Sequence, residues 1–287
     1  MKLTHGDKTL DLTRPQVMGV LNVTPDSFSD GGRHNDPDAA VAQANAMLAA
    51  GATLIDVGGE STRPGAQPVS LAEELRRVLP VVEAVRRHTD AWISVDTSSP
   101  EVMVAAVEAG ADMLNDVRAF TRPGALAQVA ALQVPVCLMH MQGEPDRMQN
   151  DPRYSDVVNQ VMAYLGERAV ALRAAGVPSD RIVVDPGFGF GKTLAHNLDL
   201  LNALPMLSTL GYPVLVGMSR KSMIGDITGR PVAERTAGSV AAAMLAVQHG
   251  AAIVRVHDVA ETVDALAIQR AAQANKNNGV KGDMTGG

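Results

Sequence analysis

The chain has 287 residues and a formal net charge of −6, and 46% of its residues are hydrophobic although only 3% are aromatic. The acidic balance gives no reason to expect nucleic acid as a partner, no apolar run approaches the roughly 18 residues of a membrane span, and the first ten residues lack the apolar core of a signal peptide. Since Cys137 is the single cysteine, no internal disulfide is available, and we expect a cytoplasmic protein.

Eight short β-like runs alternate with helical runs from residue 16 almost to the end of the chain. The predicted strands are Val17–Leu21, Thr53–Val57, Trp92–Val95, Met113–Leu114, Val134–Met139, Ile182–Val184, Val214–Val216 and Ile253–Val256. Strands that alternate with helices, without a hairpin signal between them, indicate a parallel sheet. We therefore predict a single-domain α/β protein with the (β/α)8 TIM-barrel fold, for which about 250 residues is typical. An open eight-stranded sheet is the alternative.

Residues at the chain's turns support this division. Ser70 and Glu73 have the spacing of a capping box ahead of an amphipathic helix. Residues 1–15 are predicted to form a lead-in in which residues 3–12 make a small hairpin across the barrel bottom, and residues 16–272 form the barrel. Residues 273–287 are polar and rich in Gly and Asn, so we predict a disordered tail there.

Two connections that follow predicted strands are long and have no apolar periodicity. They extend from Asn22 to Asp36 and from Gly58 to Ser70, and both are rich in Gly, Pro and Ser. Loops of this length in a barrel are usually functional or mobile. We therefore expect both of them to contribute to a functional site.

A polar residue lies at or just beyond the carboxyl end of every predicted strand. These residues are Asn22, Asp56, Asp96, Asn115, Asp116, His140, Asp185, Ser219, Lys221, Arg255 and His257. Strand ends of this kind converge on one mouth of a barrel, where active sites are found. One or two such residues would only mark the start of a loop. All eight strands following the same rule indicate a site, since an unpaired carboxylate near the barrel axis is costly.

The strand-end residues divide into two chemical groups. Asp96, Asn115 and Asp185 offer acceptors and an amide that suit the edge of a flat heterocycle with N–H, NH2 and C=O groups. The cationic group suits a phosphate or diphosphate and comprises Arg63, Arg220, Lys221, Arg255 and His257. Because its neighbours Val254 and Val256 are apolar, Arg255 is expected on the opposite strand face, directed into the barrel mouth. For Arg220 a solvated surface position is also acceptable.

The glycine-rich segment after Asp185 contains two of the four phenylalanines, Phe188 and Phe190. A phenylalanine in such a loop is poorly placed for the core, so at least one is expected to pack on a ligand or lid. The segment resembles a phosphate-binding loop, but Pro186 stands where that motif requires its first glycine, and the spacing of a dinucleotide fingerprint also fails. The seven histidines show no metal-ligand spacing, and Cys137 is interpreted as a buried hydrophobe.

Eight segments, in order, closely resemble the motifs of the dihydropteroate synthases of folate biosynthesis. They are MGVLNVTPDSFSDGG (18–32), LIDVGGESTRPGA (54–66), ISVDT (93–97), NDVR (115–118), VCLMHMQG (136–143), DPGFGFGKT (185–193), GMSRKSMIG (217–225) and VRVHDV (254–259). The resemblance implies that 6-hydroxymethyl-7,8-dihydropterin diphosphate condenses with 4-aminobenzoate to give 7,8-dihydropteroate and diphosphate. It also implies the barrel that the strand pattern predicts independently.

The resemblance further implies a role for each matching residue. The pterin diphosphate would be bound by Thr62, Asp96, Asn115, Asp185, Lys221, Arg255 and His257, with Val117 and Met139 packing on the pterin. The aminobenzoate site would comprise Phe28, Thr62, Pro64, Phe190 and Ser222. The catalytic residues would be Arg63, Lys221, Arg255 and His257, and Asn22 would bind Mg2+ together with the diphosphate. The family forms homodimers and is a target of sulfonamides, so a homodimer is expected.

Two other functions remain as alternatives. A pterin-dependent methyltransferase, acting on methyltetrahydrofolate, would share the carboxylate and amide site but has little use for the cations Arg63, Arg255 and His257 around an anion. A non-catalytic binding barrel would be expected to have lost strand-end residues, whereas none is lost here. Release of diphosphate, with and without 4-aminobenzoate, distinguishes all three.

Overall fold

Eight parallel strands and one antiparallel hairpin make up the β-structure of the described residues. The computed structural model describes residues 1–23, 37–60, 69–145 and 147–282, with side chains as far as residue 275. The strands are β1 (Lys2–His5), β2 (Lys8–Asp11), β3 (Gln16–Asn22), β4 (Leu54–Gly58), β5 (Trp92–Asp96), β6 (Met113–Asp116), β7 (Val136–Met139), β8 (Ile182–Asp185), β9 (Leu215–Val216) and β10 (Ile253–Val256). The helices are α1 (Pro37–Ala49), α2 (Leu71–His88), α3 (Pro100–Glu108), α4 (Ala125–Leu132), α5 (Val157–Ala174), α6 (Leu194–Asn202), α7 (Leu204–Leu207), α8 (Ser222–Thr228), α9 (Thr236–Gln248) and α10 (Val259–Gly282).

The eight parallel strands close into a barrel. Each strand from β3 to β8 pairs with the next along the chain, and β3 also pairs with β10, which pairs with β9. The two ends of this sheet meet through a parallel bridge between Val184 and Val214, where the Val184 amide donates to the Pro213 carbonyl at 3.0 Å. The prediction of a (β/α)8 barrel is confirmed, and the open sheet is excluded. All eight predicted strands are present.

The N-terminal hairpin covers the bottom of the barrel, as predicted. Its strands β1 and β2 pair antiparallel. Leu3, Leu10 and Leu12 form one apolar cluster with residues at the amino ends of the barrel strands, which are Met18, Leu54, Trp92, Met113, Cys137, Val183, Leu215 and Ile253. Burial of the Cys137 thiol raises its pKa well above the ordinary value, which agrees with its interpretation as a buried hydrophobe. Side chains therefore fill this end of the barrel.

A buried carboxylate anchors the hairpin to the barrel wall. Asp112, just before β6, accepts hydrogen bonds from Lys8 Nζ at 2.9 Å and from the Ile93 amide at 2.9 Å. Lys8 is closest to Oδ1, whereas Oδ2 accepts from both the Ile93 amide and Arg86 on α2. One side chain thus connects the hairpin, a helix and two neighbouring strands.

The outer layer of the core lies between the strands and the helices, and the N-caps position the helices there. Ser70 caps α2, its hydroxyl accepting from the Glu73 amide at 3.3 Å. The reciprocal half of the predicted capping box is replaced, because the Glu73 carboxylate binds Arg76 and Arg77 instead. On α2 the apolar face includes Val78 and Val82, which belong to the same buried cluster as the outward-facing strand residues.

The C-terminal helix is longer than the sequence indicated. α10 continues to Gly282, past residue 272, where we expected the ordered barrel to end. Residues 273–282 thus lie in a helix in this structure, and disorder of the tail stays a prediction. Residues 283–287 lie outside the described part. Within the described residues, no helix has the length and apolar character needed to cross a bilayer.

Candidate active site

The upper end of the barrel brings the predicted strand-end residues together. Asn22, Gly58, Asp96 and Asn115 stand in register on four adjacent strands. Residues in register on parallel strands face the same side of the sheet, and this side is the barrel interior. Four predicted site residues, Phe28, Thr62, Arg63 and Pro64, lie outside the described residues.

Arg255 points into the barrel, as its alternation with Val254 and Val256 predicted. Its Nε donates to Asp56 Oδ2 at 2.6 Å, and its Nη2 lies 3.5 Å from Asp96 Oδ2. Asn115 Nδ2 also approaches Asp56 Oδ2, at 3.5 Å. The centre of the mouth is therefore one guanidinium between two carboxylates.

Asp56 is the residue of this cluster to which the sequence analysis gave no role. Its side chain is 0% exposed, and its Oδ1 has no hydrogen-bond partner among the described residues. A signal was present, since Asp56 is an acidic residue between Ile55 and Val57 inside a strand buried along its whole length. Its partner, however, is 199 positions away along the chain.

The carboxylates of the mouth are held in an environment that disfavours their charged form. Burial, and then the neighbouring Asp56 carboxylate, raise the pKa of Asp96 to about 8, although Arg255 opposes this. Burial also raises the pKa of Asp185, with Lys221 acting in the opposite direction. Lys221 is affected in turn, since burial lowers its pKa to about 8. These groups can change protonation when a ligand replaces their present surroundings.

Lys221 lies against the glycine-rich loop that follows β8. Its Nζ donates to the Phe188 carbonyl at 2.5 Å and lies 4.6 Å from the centroid of the Phe190 ring, a cation–π contact. Phe190 packs in a small apolar cluster with Val117, Met139 and Met148. Phe188, in contrast, is fully buried in the main core. Of the two loop phenylalanines, Phe190 therefore borders the mouth, and its packing on a ligand or lid stays a prediction. The expectation that a phenylalanine in this loop is poorly placed for the core is wrong for Phe188.

The remaining cationic candidates have different surroundings. His257 Nδ1 lies 3.1 Å from Ser219 Oγ, which also accepts from the His257 amide at 3.2 Å. Arg220 Nη2 and Nε bind Asp258 at 2.5 and 3.1 Å, and the Arg220 side chain is 36% exposed. Arg220 is thus an ion-paired surface residue and does not join Arg255. Ser222 is exposed at the first position of α8.

Two further buried groups escaped the sequence analysis. Lys192, dismissed there with the failed phosphate-loop motif, is 3% exposed. His140, a strand-end residue without an assigned task, lies 2.9 Å from it through Nδ1. Burial, and then the Lys192 ammonium, lower the pKa of His140 to about 3. No sequence pattern predicts the contact between Lys192 and His140, because it depends on how the glycine-rich loop after β8 folds back onto the segment after β7.

The raised pKa of Asp96 predicts how fold stability depends on pH. A carboxyl group with a pKa of 3.8 in the unfolded chain and about 8 in the folded chain binds more protons when folded, so stability falls as pH rises between these values. As pH rises from 5 to 8, the free energy of unfolding of Asp96→Asn, measured by urea denaturation, is therefore expected to fall less than that of the wild type. Asp226→Asn, an exposed position on α8, controls for the loss of one charge. Parallel profiles for Asp96→Asn and the wild type would contradict the assignment.

Comparison with known proteins agrees with this geometry. Residues 18–257 match the family described as pterin binding enzyme. A dihydropteroate synthase of Escherichia coli strain K12 is 52% identical over 278 residues, which cover 97% of this chain and 99% of that protein.

Two solved structures are similarly close. The dihydropteroate synthase of Xanthomonas albilineans with 4-aminobenzoic acid has 55% identity and a TM-score of 0.91, covering 95% of this chain and 98% of that one. The Xanthomonas albilineans enzyme in complex with 7,8-dihydropteroate has 51% identity and a TM-score of 0.87, covering 96% of this chain and 99% of that one.

Proposed function

Because this chain belongs to the family of pterin-binding enzymes, we infer that it condenses 6-hydroxymethyl-7,8-dihydropterin diphosphate with 4-aminobenzoate, the reaction of a dihydropteroate synthase. The products are 7,8-dihydropteroate and diphosphate. The observation that carries this function is the mouth of the barrel, where buried acceptors surround one guanidinium. The full-length similarity to dihydropteroate synthases supports it. The methyltransferase alternative is less well supported.

The heterocycle is recognised by the inward-facing groups at the ends of β5, β6 and β8. Asp96, Asn115 and Asp185 offer carboxylate and amide groups to the N–H and NH2 edge of a pterin. Lys221, whose pKa of about 8 keeps it largely protonated at neutral pH, is a donor for the pterin carbonyl. The apolar cluster of Val117, Met139 and Phe190 suits the ring faces. Hydrogen bonds to the bound pterin would compensate Asp96 and Asp185 for the hydration that they lose by burial.

The bond that breaks joins the exocyclic carbon of the pterin to the diphosphate oxygen. Negative charge develops on the departing diphosphate, and Arg255 on β10 and His257 just after it would stabilise this charge. The dihydropterin delocalises the positive charge left on the carbon. The aryl amine of 4-aminobenzoate is a weak base that needs orientation more than deprotonation. Phe190 and the exposed Ser222 would border it.

A magnesium ion fits the residues at the end of β3. Asn22 faces the barrel interior in register with Gly58, and a Cβ placed on Gly58 would come within 4.0 Å of Asn22 Oδ1. A bound Mg2+ commonly takes one or two protein oxygens and the substrate's phosphates, and it would neutralise the leaving group. Among the described residues, no group of three or more acidic, His or Cys side chains is arranged to hold a metal ion. In this proposal Asn22 shares the ion with the diphosphate.

The activity is tested by following both products. We expect the purified protein to release diphosphate from the dihydropterin diphosphate and to form dihydropteroate only when 4-aminobenzoate is present. Removing Mg2+ with a chelator should suppress release, and Asn22→Ala should raise the Mg2+ concentration that restores it. Methyl transfer from methyltetrahydrofolate in place of diphosphate release would support the alternative. Absence of both activities would indicate a binding protein.

A homodimer is part of the proposal. Neighbouring helices expose large apolar side chains in the region of Leu198, Met206, Ile227 and Leu245, each between 37% and 55% exposed. Exposed apolar surface of this kind is typical of protein–protein contacts. A mass of 30.1 kDa for the protein in sedimentation equilibrium, which is that of a monomer, would contradict it. We also propose a cytoplasmic location, since the one cysteine is a free, buried thiol, which cell fractionation would test.

A further inference from the structure

The lysine of the failed phosphate-loop motif has a structural environment of its own. Lys192 turns back onto the loop that precedes it, and its Nζ lies 2.9 Å from the Gly187 carbonyl and 3.0 Å from the Phe190 carbonyl. Its third close contact is His140 Nδ1 at 2.9 Å. The side chain is 3% exposed. This lysine therefore faces its own backbone and not the barrel mouth.

The contacts of Lys192 form a closed set. An ammonium group has three protons to donate; its closest acceptors are the Gly187 and Phe190 carbonyls and His140 Nδ1, and the His140 carbonyl lies at 3.4 Å. His140 then accepts at Nδ1 and is neutral, which agrees with its lowered pKa. Burial lowers the pKa of Lys192 well below its ordinary value, and the Asp185 carboxylate opposes this shift. No proton of Nζ is left for a ligand.

The loop held in this way has no room to move toward β7. Gly187 and Gly191 both have positive φ, of 69° and 62°. A Cβ on Gly187 would collide with the His140 carbonyl, and one on Gly191 would collide with the Gln142 carbonyl. The loop backbone thus packs directly on the segment after β7, and Lys192 bridges the two from inside.

The contacts of Lys192 with Gly187, Phe190 and His140 determine the position of the groups that contact Lys221. Lys192 binds the carbonyl of Phe190. The ring of Phe190 lies under the Lys221 ammonium. The Phe188 carbonyl, which receives the Lys221 proton at 2.5 Å, lies between the two residues whose carbonyls bind Lys192. Displacement of this short segment would move both contacts together.

We propose that Lys192 is a positioning residue for the reaction, fixing the Phe190 ring and the Phe188 carbonyl and, through them, Lys221. Lys192 Nζ contacts His140 and the backbone of the glycine-rich loop, and the proposal gives it no direct contact with either substrate. This inference rests on the proposed function of the mouth, where Phe190 borders 4-aminobenzoate and Lys221 the pterin. It explains why a lysine follows the glycines although the segment binds no phosphate through a Walker-type loop.

Lys192→Met tests the proposal, because methionine keeps the length of the side chain and removes all three donors. The KM for 4-aminobenzoate is expected to rise at least tenfold, while the Kd of inorganic diphosphate, measured by calorimetry, stays within twofold of the wild type. A role confined to fold stability would instead reduce the active fraction, lowering kcat with KM unchanged. Lys192→Gln, which retains two donors, is expected to give an intermediate KM and serves if the methionine variant does not fold.

Tyr154→Phe provides a matched control, because Tyr154, between β7 and α5, binds the same glycine-rich loop. The Tyr154 hydroxyl donates to the Gly191 carbonyl at 2.8 Å but contacts neither Phe188 nor Phe190 through hydrogen bonds in the described structure. Its KM for 4-aminobenzoate is expected within twofold of the wild type. Equal changes in KM and in diphosphate Kd for the Lys192 variants, or a wild-type KM, would overturn the proposal. Failure of the proposed function would differ, since the wild type itself would then release no diphosphate.

Discussion

Arg255→Ala is expected to weaken diphosphate binding by about 1.5–3 kcal/mol, the scale of a charged hydrogen bond, and to destabilise the fold as well. The destabilisation arises because Asp56, which is 0% exposed, loses the guanidinium at 2.6 Å that neutralises it. Breaking a buried ion pair by removing one partner costs about 3–5 kcal/mol. Calorimetry with inorganic diphosphate measures the first effect, and urea denaturation the second.

A double variant separates the two effects. Arg255→Ala combined with Asp56→Asn removes both charges, so most of the lost stability should return while diphosphate binding stays weak. Arg220→Ala is the control, because that guanidinium pairs with Asp258 at a half-exposed site away from the cluster. Its effect on diphosphate affinity should be small. A double variant no more stable than Arg255→Ala would show that the buried charge of Asp56 is not the cause.

Asp112→Ala is expected to lower the free energy of unfolding by about 3–5 kcal/mol, again by breaking buried ion pairs. Lys8, Arg86 and the Ile93 amide all donate to the Asp112 carboxylate, and all three lose this acceptor in the variant. The hairpin should loosen first. Trp92, the single tryptophan, packs against the hairpin leucines, so its fluorescence should shift to longer wavelength at a lower urea concentration than in the wild type.

Glu73→Gln controls for the loss of an ion pair in general. Glu73 binds Arg76 and Arg77 on the surface of α2, and exposed pairs contribute little to stability. We expect no measurable change in the urea midpoint. Because Asp112 lies at the filled end of the barrel, turnover of folded Asp112→Ala should match the wild type under native conditions. A normal midpoint for Asp112→Ala would show that the apolar contacts alone hold the hairpin.

Arg255 and Asp112 lie at opposite ends of the barrel, and the two ends differ in function. At the bottom, apolar side chains of the strands and the hairpin exclude water. At the top, the next inward-facing position is polar on several of these strands, as Leu54 followed by Asp56 on β4 and Ile253 followed by Arg255 on β10 illustrate. Because residues two apart on a strand face the same side, an apolar core residue and a polar site residue lie on the same inner face, in successive layers of the barrel.

Local patterns were sufficient for the fold and for the direction of single side chains. Strand and helix alternation predicted the barrel, and the apolar neighbours of Arg255 predicted that it points inward. Both depend on periods of two and 3.6 residues, which a sequence displays directly. The end of the last helix was not predicted: α10 continues to Gly282, through a polar segment that has no apolar periodicity to indicate a helix.

The sequence by itself determined the eight strands, the hairpin and the ring of polar strand ends, because each follows from neighbours within a few residues along the chain. Only the tertiary structure decided which of those groups meet. The pairing of Arg255 with Asp56 joins the first strands of the barrel to the last, and the closed contacts of Lys192 require the glycine loop to fold back onto β7. Such contacts depend on barrel closure and loop packing, and no periodicity within a segment encodes them.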